Sequence, residues 1–374
     1  MLRLTRRAFG FGALSTAGAA SAQAQSRRLK LLVLGGTYYL GPATVEAAVQ
    51  AGHKVTLFNR GQTNPKLFPQ LELIRGDRDA KSENLAGLAG DRRWDAVIDV
   101  WPADAAMSQR SAELLKDRVG RYIYVSSISA YSRLTIAGAT ENYPLVATSP
   151  DPTEYGFAKA ETERRLQAIF GSRFASVRPP PILGWRNDSD VLTFWAVRMA
   201  RGGDVVAVGD AEDTAQFTDV KDIGAWLVQI AERNLEGPFN VVGPAQRLSY
   251  PAFLEQIRDA TGDRANLVWL PYDFLVAQGV TQFSVDLPLY RPHQWTTRPG
   301  FTQVSSARAL AAGIRFRSLQ RTVADELRWF PIYRGANFEF GGVGQPADAP
   351  YWLRMGLSRT REAALLAAWK ARQA

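Results

Sequence analysis

Ser127, Tyr155 and Lys159 are the residues whose types and spacing suit proton transfer. The run Tyr155-Gly-Phe-Ala-Lys159 opens a helical pattern that extends to about Phe170. Residues four apart on a helix share a face, so Tyr155 and Lys159 point into one space. An ordinary tyrosine has a pKa of about 10 and is a poor base near neutrality. An ammonium beside it favours the phenolate. Tyr155 can then take a proton from an alcohol, or return it, as the carbon changes oxidation state. Ser127, in Val125-Ser-Ser-Ile-Ser-Ala-Tyr131, offers a hydroxyl to hold the substrate oxygen.

The composition removes the main competitors. The 374 residues include no cysteine and two histidines, His53 and His293. Disulfides, thiolate nucleophiles and Cys-bound metals are therefore excluded. A His-based metal site or a Ser-His-Asp triad is not expected, and no metal is assigned. Hydrophobic residues at 46% and charged residues at 22% mark a globular chain. The formal charge is +9, and removing Arg3, Arg6 and Arg7 with the leader described below lowers it to +6. The basic clusters Arg27-Arg28-Leu-Lys30, Arg92-Arg93 and Arg164-Arg165 are short and scattered. They read as solvated faces, and no nucleic-acid partner is expected.

Strand, turn and helix signals upstream supply the frame for those residues. Leu29–Leu34 is an apolar run suited to a buried parallel strand. The turn Gly35, Gly36, Thr37, Tyr38, Tyr39, Leu40, Gly41 follows. Pro42 to Ala51 reads as a helix, and Lys54–Phe58 as a second strand. Strand, Gly-rich turn, helix and strand within so short a stretch form the dinucleotide-binding unit. The glycines let the backbone approach a pyrophosphate, whose charge sits at the helix N-terminus. Tyr38 stands where the usual pattern has glycine, so its side chain narrows the approach or lies over the phosphates.

Alternation continues with strands at 71–74, 94–100 and 121–125, and helices at 81–89 and 104–118. The fold class is α/β, a doubly wound parallel sheet of the Rossmann kind. Ligands on such sheets lie at the carboxyl ends of the strands. That rule selects the turn at 35–41, Asn59 and Arg60, Asp77 and Arg78, Val100-Trp101 and Ser126-Ser127. An acid ending the second strand would bind a ribose 2′-hydroxyl and favour NAD. Here Arg60 follows instead, and a guanidinium can bind a 2′-phosphate. NADP is therefore favoured over NAD as cofactor.

Residues 1–24 carry a twin-arginine pair, Arg6-Arg7, an uncharged run from Phe9 to Ala20, and a small-x-small site at Ala22-Gln23-Ala24. The run is too short to span a bilayer, which takes about 20 residues. The pattern is that of a twin-arginine export signal read by the export machinery, which places the protein in the periplasm. No fresh nucleotide is supplied there, so the cofactor should be held tightly and regenerated within each cycle.

Together these residues resemble the extended short-chain dehydrogenase/reductase superfamily, in its NAD(P)-dependent epimerase/dehydratase branch. Arg178-Pro-Pro-Pro-Ile-Leu-Gly184, Gln216-Phe-Thr-Asp-Val-Lys-Asp222 and Gly237-Pro-Phe-Asn-Val-Val-Gly243 extend the likeness. Gly-Gly-Thr-x-x-Leu-Gly41, Leu57-Phe-Asn-Arg-Gly61 and Gly76-Asp-Arg-Asp79 are similar to an atypical subgroup that includes plastid stem-loop RNA-binding proteins. The resemblance implies that Lys159 also binds the nicotinamide ribose. It implies that Asp77 contacts adenine and that the backbone at Pro181 and Ile182 flanks the nicotinamide. A homodimer is an expectation by resemblance only. Nucleotide-sugar members commonly carry Arg where Gln216 stands, and sugar nucleotides are cytoplasmic. Both points disfavour a nucleotide-sugar substrate.

The expected organisation is a leader at 1–24, a nucleotide-binding core at 25–180, and a substrate-binding region at 181–374 that returns to the core near 216–243. Asp190–Arg201 reads as a helix, and 205–208 and 239–242 as short strands. The aromatic segment 269–301 suits either a pocket wall for sugars and apolar ligands or core packing. Ser358 caps a C-terminal helix whose expected buried stripe is Ala363, Leu366 and Trp369. Two functions stay open. One is an oxidoreductase or epimerase acting on a small-molecule alcohol or sugar. The other is a non-catalytic nucleotide-binding scaffold or RNA binder.

Overall fold

The computed structural model describes residues 27–374 apart from 80, 82–83, 101–102, 188, 281–282, 296, 336, 347–349 and 351–353. The leader, Trp101 and Pro102 thus lie outside the described residues. Strands β1 (Lys30–Leu34), β2 (Lys54–Asn59), β3 (Glu72–Arg75), β4 (Trp94–Asp99), β5 (Val119–Val125) and β6 (Phe174–Arg178) are followed by β7 (Ile182–Leu183), β8 (Gly203–Ala207), β9 (Thr218–Asp219), β10 (Gly237–Asn240) and β11 (Ala265–Trp269). The helices are α1 (Leu40–Gln50), α2 (Ala105–Leu115), α3 (Tyr155–Phe170), α4 (Val191–Arg201), α5 (Val220–Arg233), α6 (Tyr250–Ala260), α7 (Tyr272–Ala277), α8 (Phe283–Asp286), α9 (Ala307–Ala311), α10 (Leu319–Tyr333) and α11 (Arg359–Gln373).

Seven strands form one parallel sheet in the order β10-β6-β5-β4-β1-β2-β3. Strands covered on both faces must be apolar almost throughout, and β1, β4 and β5 are. One face is packed by α1 and α5 through Val45, Ala48, Ile223, Trp226 and Leu227. The other is packed around Tyr122, Tyr124, Leu166 and Phe170. The strand order reverses between β1 and β4, and the crevice at that switch point is where such sheets bind ligands.

A second core lies in the chain's later half. It gathers α4, α6 and α10 around Phe194, Trp195, Tyr250, Phe253 and Phe330, with the parallel pair β8–β11. β10 leaves this half to join β6 at the edge of the large sheet.

Several boundaries differ from the sequence reading. α1 begins at Leu40, because the Gly41 N–H bonds back to the Tyr38 carbonyl at 2.9 Å and starts the helix early. The expected helix at 81–89 is only a 3-10 turn over Ala86–Leu88. α2 ends at Leu115, short of the expected 118. In α11, Ser358 caps the helix by accepting from the Arg361 N–H, but Ala363 is exposed. Leu366 and Trp369 do pack on the second core, Trp369 edge-on to Phe274, and the most buried positions are Glu362 and Leu365, because Glu362 turns in to meet Arg198 at 2.5 Å and the Val206 N–H at 3.1 Å. In the segment 269–301, Phe274, Leu275, Leu287 and Tyr290 belong to the second core. Arg291, Pro292, His293, Trp295, Arg298 and Phe301 line a small cleft of about 70 Å3.

Candidate active site

The turn after β1 opens onto a cavity of about 490 Å3 at the carboxyl ends of β1, β2 and β4. Gly35, Gly36, Thr37, Tyr38, Tyr39, Leu40, Asn59, Arg60, Asp77 and Arg78 line it, as the strand-end rule anticipated. Gln62, Thr63 and Met107 also line it and went unread, since no motif marks them. A Cβ placed on Gly41 would come within 2.7 Å of the Gly36 backbone, so only glycine lets helix and turn close so tightly.

A dinucleotide fits this arrangement on local grounds. The N-terminus of α1 has no side-chain cap and no acid in its first turn. Whereas α2, α3, α5, α6 and α11 are capped by Asp104, Glu154, Asp219, Ser249 and Ser358, α4, α7, α9 and α10 also lack a side-chain cap, but none of these lines the cavity. The first-turn N–H groups of α1 therefore suit an outside anion. Ser126 Oγ, buried after the carboxyl end of β5, also lacks a hydrogen-bond partner among the described residues.

The individual residues divide their work. Asn59 lines the cavity, and its amide donates to Gly35 O at 2.7 Å and accepts from the Gly61 N–H at 2.8 Å. It braces the glycine turn. Arg60 is exposed and has no ion-pair partner among the described residues. Asp77 Oδ1 accepts from the Asp79 N–H at 3.0 Å. Arg78 lines the cavity, yet its guanidinium is held by both oxygens of Asp99 at 3.0 Å. Asp99 is fully buried and also accepts from Tyr122 Oη at 2.8 Å. Tyr38 is exposed at the cavity mouth. Tyr39 sits at φ 52°, a conformation costly for a side chain, and its hydroxyl donates to Ile182 O at 3.1 Å. That bond ties the nucleotide turn to the Pro181–Ile182 segment.

The proton-transfer residues lie on α3 and beyond β5. α3 starts at Tyr155 because Glu154 accepts from the Gly156 and Phe157 N–H groups. A Cβ on Gly156 would sit 2.4 Å from Ser129 O, so glycine lets the helix start abut the Ser127–Ser129 turn. Tyr155 is 45% exposed, whereas Lys159 on the same face is buried. Lys159 Nζ donates to Val125 O at 2.8 Å and lies 5.8 Å from the Tyr155 ring centre. Burial lowers its pKa to about 8, against the opposing pull of Asp99 and Glu163. Ser127 Oγ accepts from the Ser129 N–H at 3.1 Å, which leaves its own proton to donate.

Glu163, two turns along α3, grips Arg178 at the end of β6 through two bonds of 2.9 and 2.7 Å. Arg178 also donates to Tyr131 Oη at 2.9 Å, and Tyr131 Oη donates to Asn240 at 2.6 Å. This buried network sets the height of α3 against the sheet, and hence the place of Tyr155. Gln216 forms a two-way amide pair with the Val304 backbone, at 2.9 Å in each direction. His293 is drawn into hydrogen bonds with Asp213, whose other oxygen accepts from Tyr290 and the Asp210 N–H.

A parallel sheet with a nucleotide-type turn and a Ser, Tyr and Lys set defines a class before any comparison is made. The sequence matches the NAD dependent epimerase/dehydratase family over residues 31–243, and the chain belongs to that family of NAD(P)-dependent enzymes. It is 27% identical over 245 residues to the chloroplast stem-loop binding protein of 41 kDa b of Arabidopsis thaliana, across 60% of this chain and 61% of that protein. The match thus spans less than two thirds of that relative. It is also 27% identical over 265 residues to the 2'-dehydrokanamycin reductase of Streptomyces kanamyceticus, across 67% of this chain and 72% of that protein. Among solved structures, a UDP-N-acetylglucosamine 4-epimerase from Methanobrevibacter ruminantium M1 superposes with a TM-score of 0.59 at 18% identity, over 81% of this chain and 98% of that one. At that identity the likeness is one of fold.

Proposed function

We propose that this chain is an exported oxidoreductase or epimerase, with NADP favoured over NAD, acting on an alcohol or sugar. The observation that carries the reading is the Lys159 bond to Val125 O. It brings the α3 face bearing Tyr155 against the strand leading into Ser127. The nicotinamide, when bound, supplies the acceptor and donor of hydride. Ser127 Oγ–H donates to the substrate oxygen. Tyr155 Oη takes the alcohol proton as the carbinol carbon is oxidised, and returns one on reduction. Lys159, beneath Tyr155, stabilises the phenolate.

Gln216 weighs against a nucleotide sugar as the substrate. Gln216 has no charge to hold a diphosphate, and both ends of its amide are spent on Val304. Arg6-Arg7 and the uncharged run after it support export to the periplasm. Export without a nucleotide supply supports a retained cofactor that is regenerated in each cycle. The likeness to the chloroplast stem-loop binding protein supports the alternative, a non-catalytic scaffold or RNA binder on the same fold. The assembled Ser127, Tyr155 and Lys159 favour the enzyme.

The test is to purify the protein, denature it and identify released nucleotide by mass spectrometry. Stoichiometric NADP or NAD is the expected result. A protein that releases none and binds none when it is added would overturn the catalytic reading.

A further inference from the structure

At the far end of the sheet from the nucleotide turn, the amino ends of β1, β4 and β5 frame a cavity of about 770 Å3. Arg27, Arg28, Lys30, Arg93, Arg118 and Arg173 line it, facing Asp95, Asp117 and Glu232. In sequence Arg27, Arg28, Lys30 and Arg93 read as parts of separate solvated runs, and the parallel sheet gathers them with Arg118 and Arg173 by setting its strand starts side by side. We propose that this bowl is a second binding site, for a ligand carrying clustered phosphate groups.

The charge balance supports it. Asp95 is occupied by Arg27 at 2.8 Å and by the Lys30 N–H at 2.7 Å. Glu232 is engaged with His53 at 3.1 Å. Three of the arginines are held by main-chain carbonyls. Arg93 donates to Asp117 O at 2.9 Å, Arg118 to Gly90 O at 2.7 Å, and Arg173 to Lys116 O and Val119 O at 2.9 and 2.8 Å. Neutral carbonyls fix a guanidinium without cancelling its charge. The carboxyl end of α2, which Arg118 and Arg173 cap, offsets only about half a charge. Six cations against three acids therefore leave a concave, positively charged surface with little freedom to collapse. Fixed guanidinium forks match phosphate oxygens in both charge and shape.

The phosphates could come from two sources. One is a soluble polyphosphate. The other is anionic lipid headgroups, since Arg27 lines the cavity with its side chain 80% exposed.

The experiment uses the full chain, loaded with its nucleotide, and a triple variant, Arg28→Gln, Lys30→Gln and Arg93→Gln. Arg118 and Arg173 stay in place because they cap α2. Tripolyphosphate is titrated calorimetrically, and vesicles of phosphatidylcholine with or without phosphatidylglycerol are sedimented with the protein. Tripolyphosphate bound once per chain, weakening as salt rises from about 50 to about 200 mM, supports the site with a soluble ligand. Pelleting only with the anionic vesicles supports it with lipid. In either case the triple variant should bind about 100-fold more weakly, at roughly fivefold per charge removed. Unchanged nucleotide content in the variant shows that it is folded. Failure of both probes overturns the proposal. So does equal binding by the variant, which would place the anion at the leader or the nucleotide turn.

Discussion

The ammonium of Lys159 donates to the carbonyl of Val125 at 2.8 Å, and this bond locks the helix carrying Tyr155 to the strand that leads into Ser127. The same burial that makes the contact lowers the lysine's pKa to about 8. The charge that serves Tyr155 is thus held at a cost to the fold.

That cost is measurable. Unfolded, Lys159 keeps its ordinary pKa of 10.5, so between pH 8 and that value the unfolded chain binds more protons. Stability contributed by this group therefore rises with pH across the window, and the full cost is present below pH 8. The shift corresponds to about 3 kcal/mol, less about 1 kcal/mol for the bond to Val125. Nucleotide-free Lys159→Met should be more stable than wild type by roughly 2 kcal/mol at pH 7. The gap should close towards pH 10, while turnover falls at least about 100-fold. Denaturant melts at the two pH values decide it, and a variant less stable at pH 7 would show that the buried charge is well solvated.

Tyr155→Phe removes the proton carrier and leaves the ring. Turnover of the first alcohol or ketone that wild type accepts should drop by about 10²- to 10⁴-fold. Bound nucleotide, measured by mass spectrometry, should be unchanged, because Tyr155 does not line the cavity at the glycine turn. Ser127→Ala should also lower turnover. An active Tyr155→Phe enzyme would remove the assignment of Tyr155.

Glu163→Gln tests the buried network behind the site. The substitution leaves the Arg178 guanidinium, itself 4% exposed, without its counter-charge. Breaking such a pair costs about 3–5 kcal/mol. A clear loss of thermal stability is expected, with lower turnover as Tyr155 loses its fixed height. The conservative Glu163→Asp should recover part of both. Stability unchanged in Glu163→Gln would mean that water reaches Arg178.

These contrasts mark what the sequence makes legible. The turn at 35–41 and the Tyr155–Lys159 pair are local, and their spacing alone places them on a strand–helix junction and on one helix face. The partners that hold them are distant in sequence. Asp99 reads as the end of an apolar strand, and nothing nearby says that it will bind Arg78 or Tyr122. Nothing in the sequence around Glu163 says that it will pair with Arg178, 15 residues on at the end of β6. Asn59 stands by position at the ribose end of the cavity, and nothing nearby says that its amide will also brace Gly35 across 24 residues. Gln216 shows its lack of charge in sequence, whereas its pairing with Val304 depends on a chain segment 88 residues away. In the C-terminal stripe Leu366 and Trp369 pack on the core as their spacing suggests, whereas Ala363 gives way to Glu362, a buried carboxylate whose partner Arg198 is distant in sequence.

Arg60 makes the cofactor preference testable. With Asn59 committed to the turn, no acid at the end of β2 stands ready to bind a ribose 2′-hydroxyl or repel a 2′-phosphate. Arg60 lines the cavity and is exposed, with no ion-pair partner among the described residues, so its charge remains available to an incoming phosphate. A charge-assisted hydrogen bond contributes about 1.5–3 kcal/mol. Arg60→Ala should accordingly weaken NADP by about 10- to 100-fold and leave NAD nearly unchanged. Arg60→Asp should reverse the preference by adding repulsion. Because the side chain is exposed, the discrimination by wild type should shrink as salt is raised. Titration of nucleotide-stripped protein with each cofactor provides the measurement. Equal affinities for both cofactors in wild type, unaltered by Arg60→Ala, would reduce Arg60 to a solvent-facing turn residue.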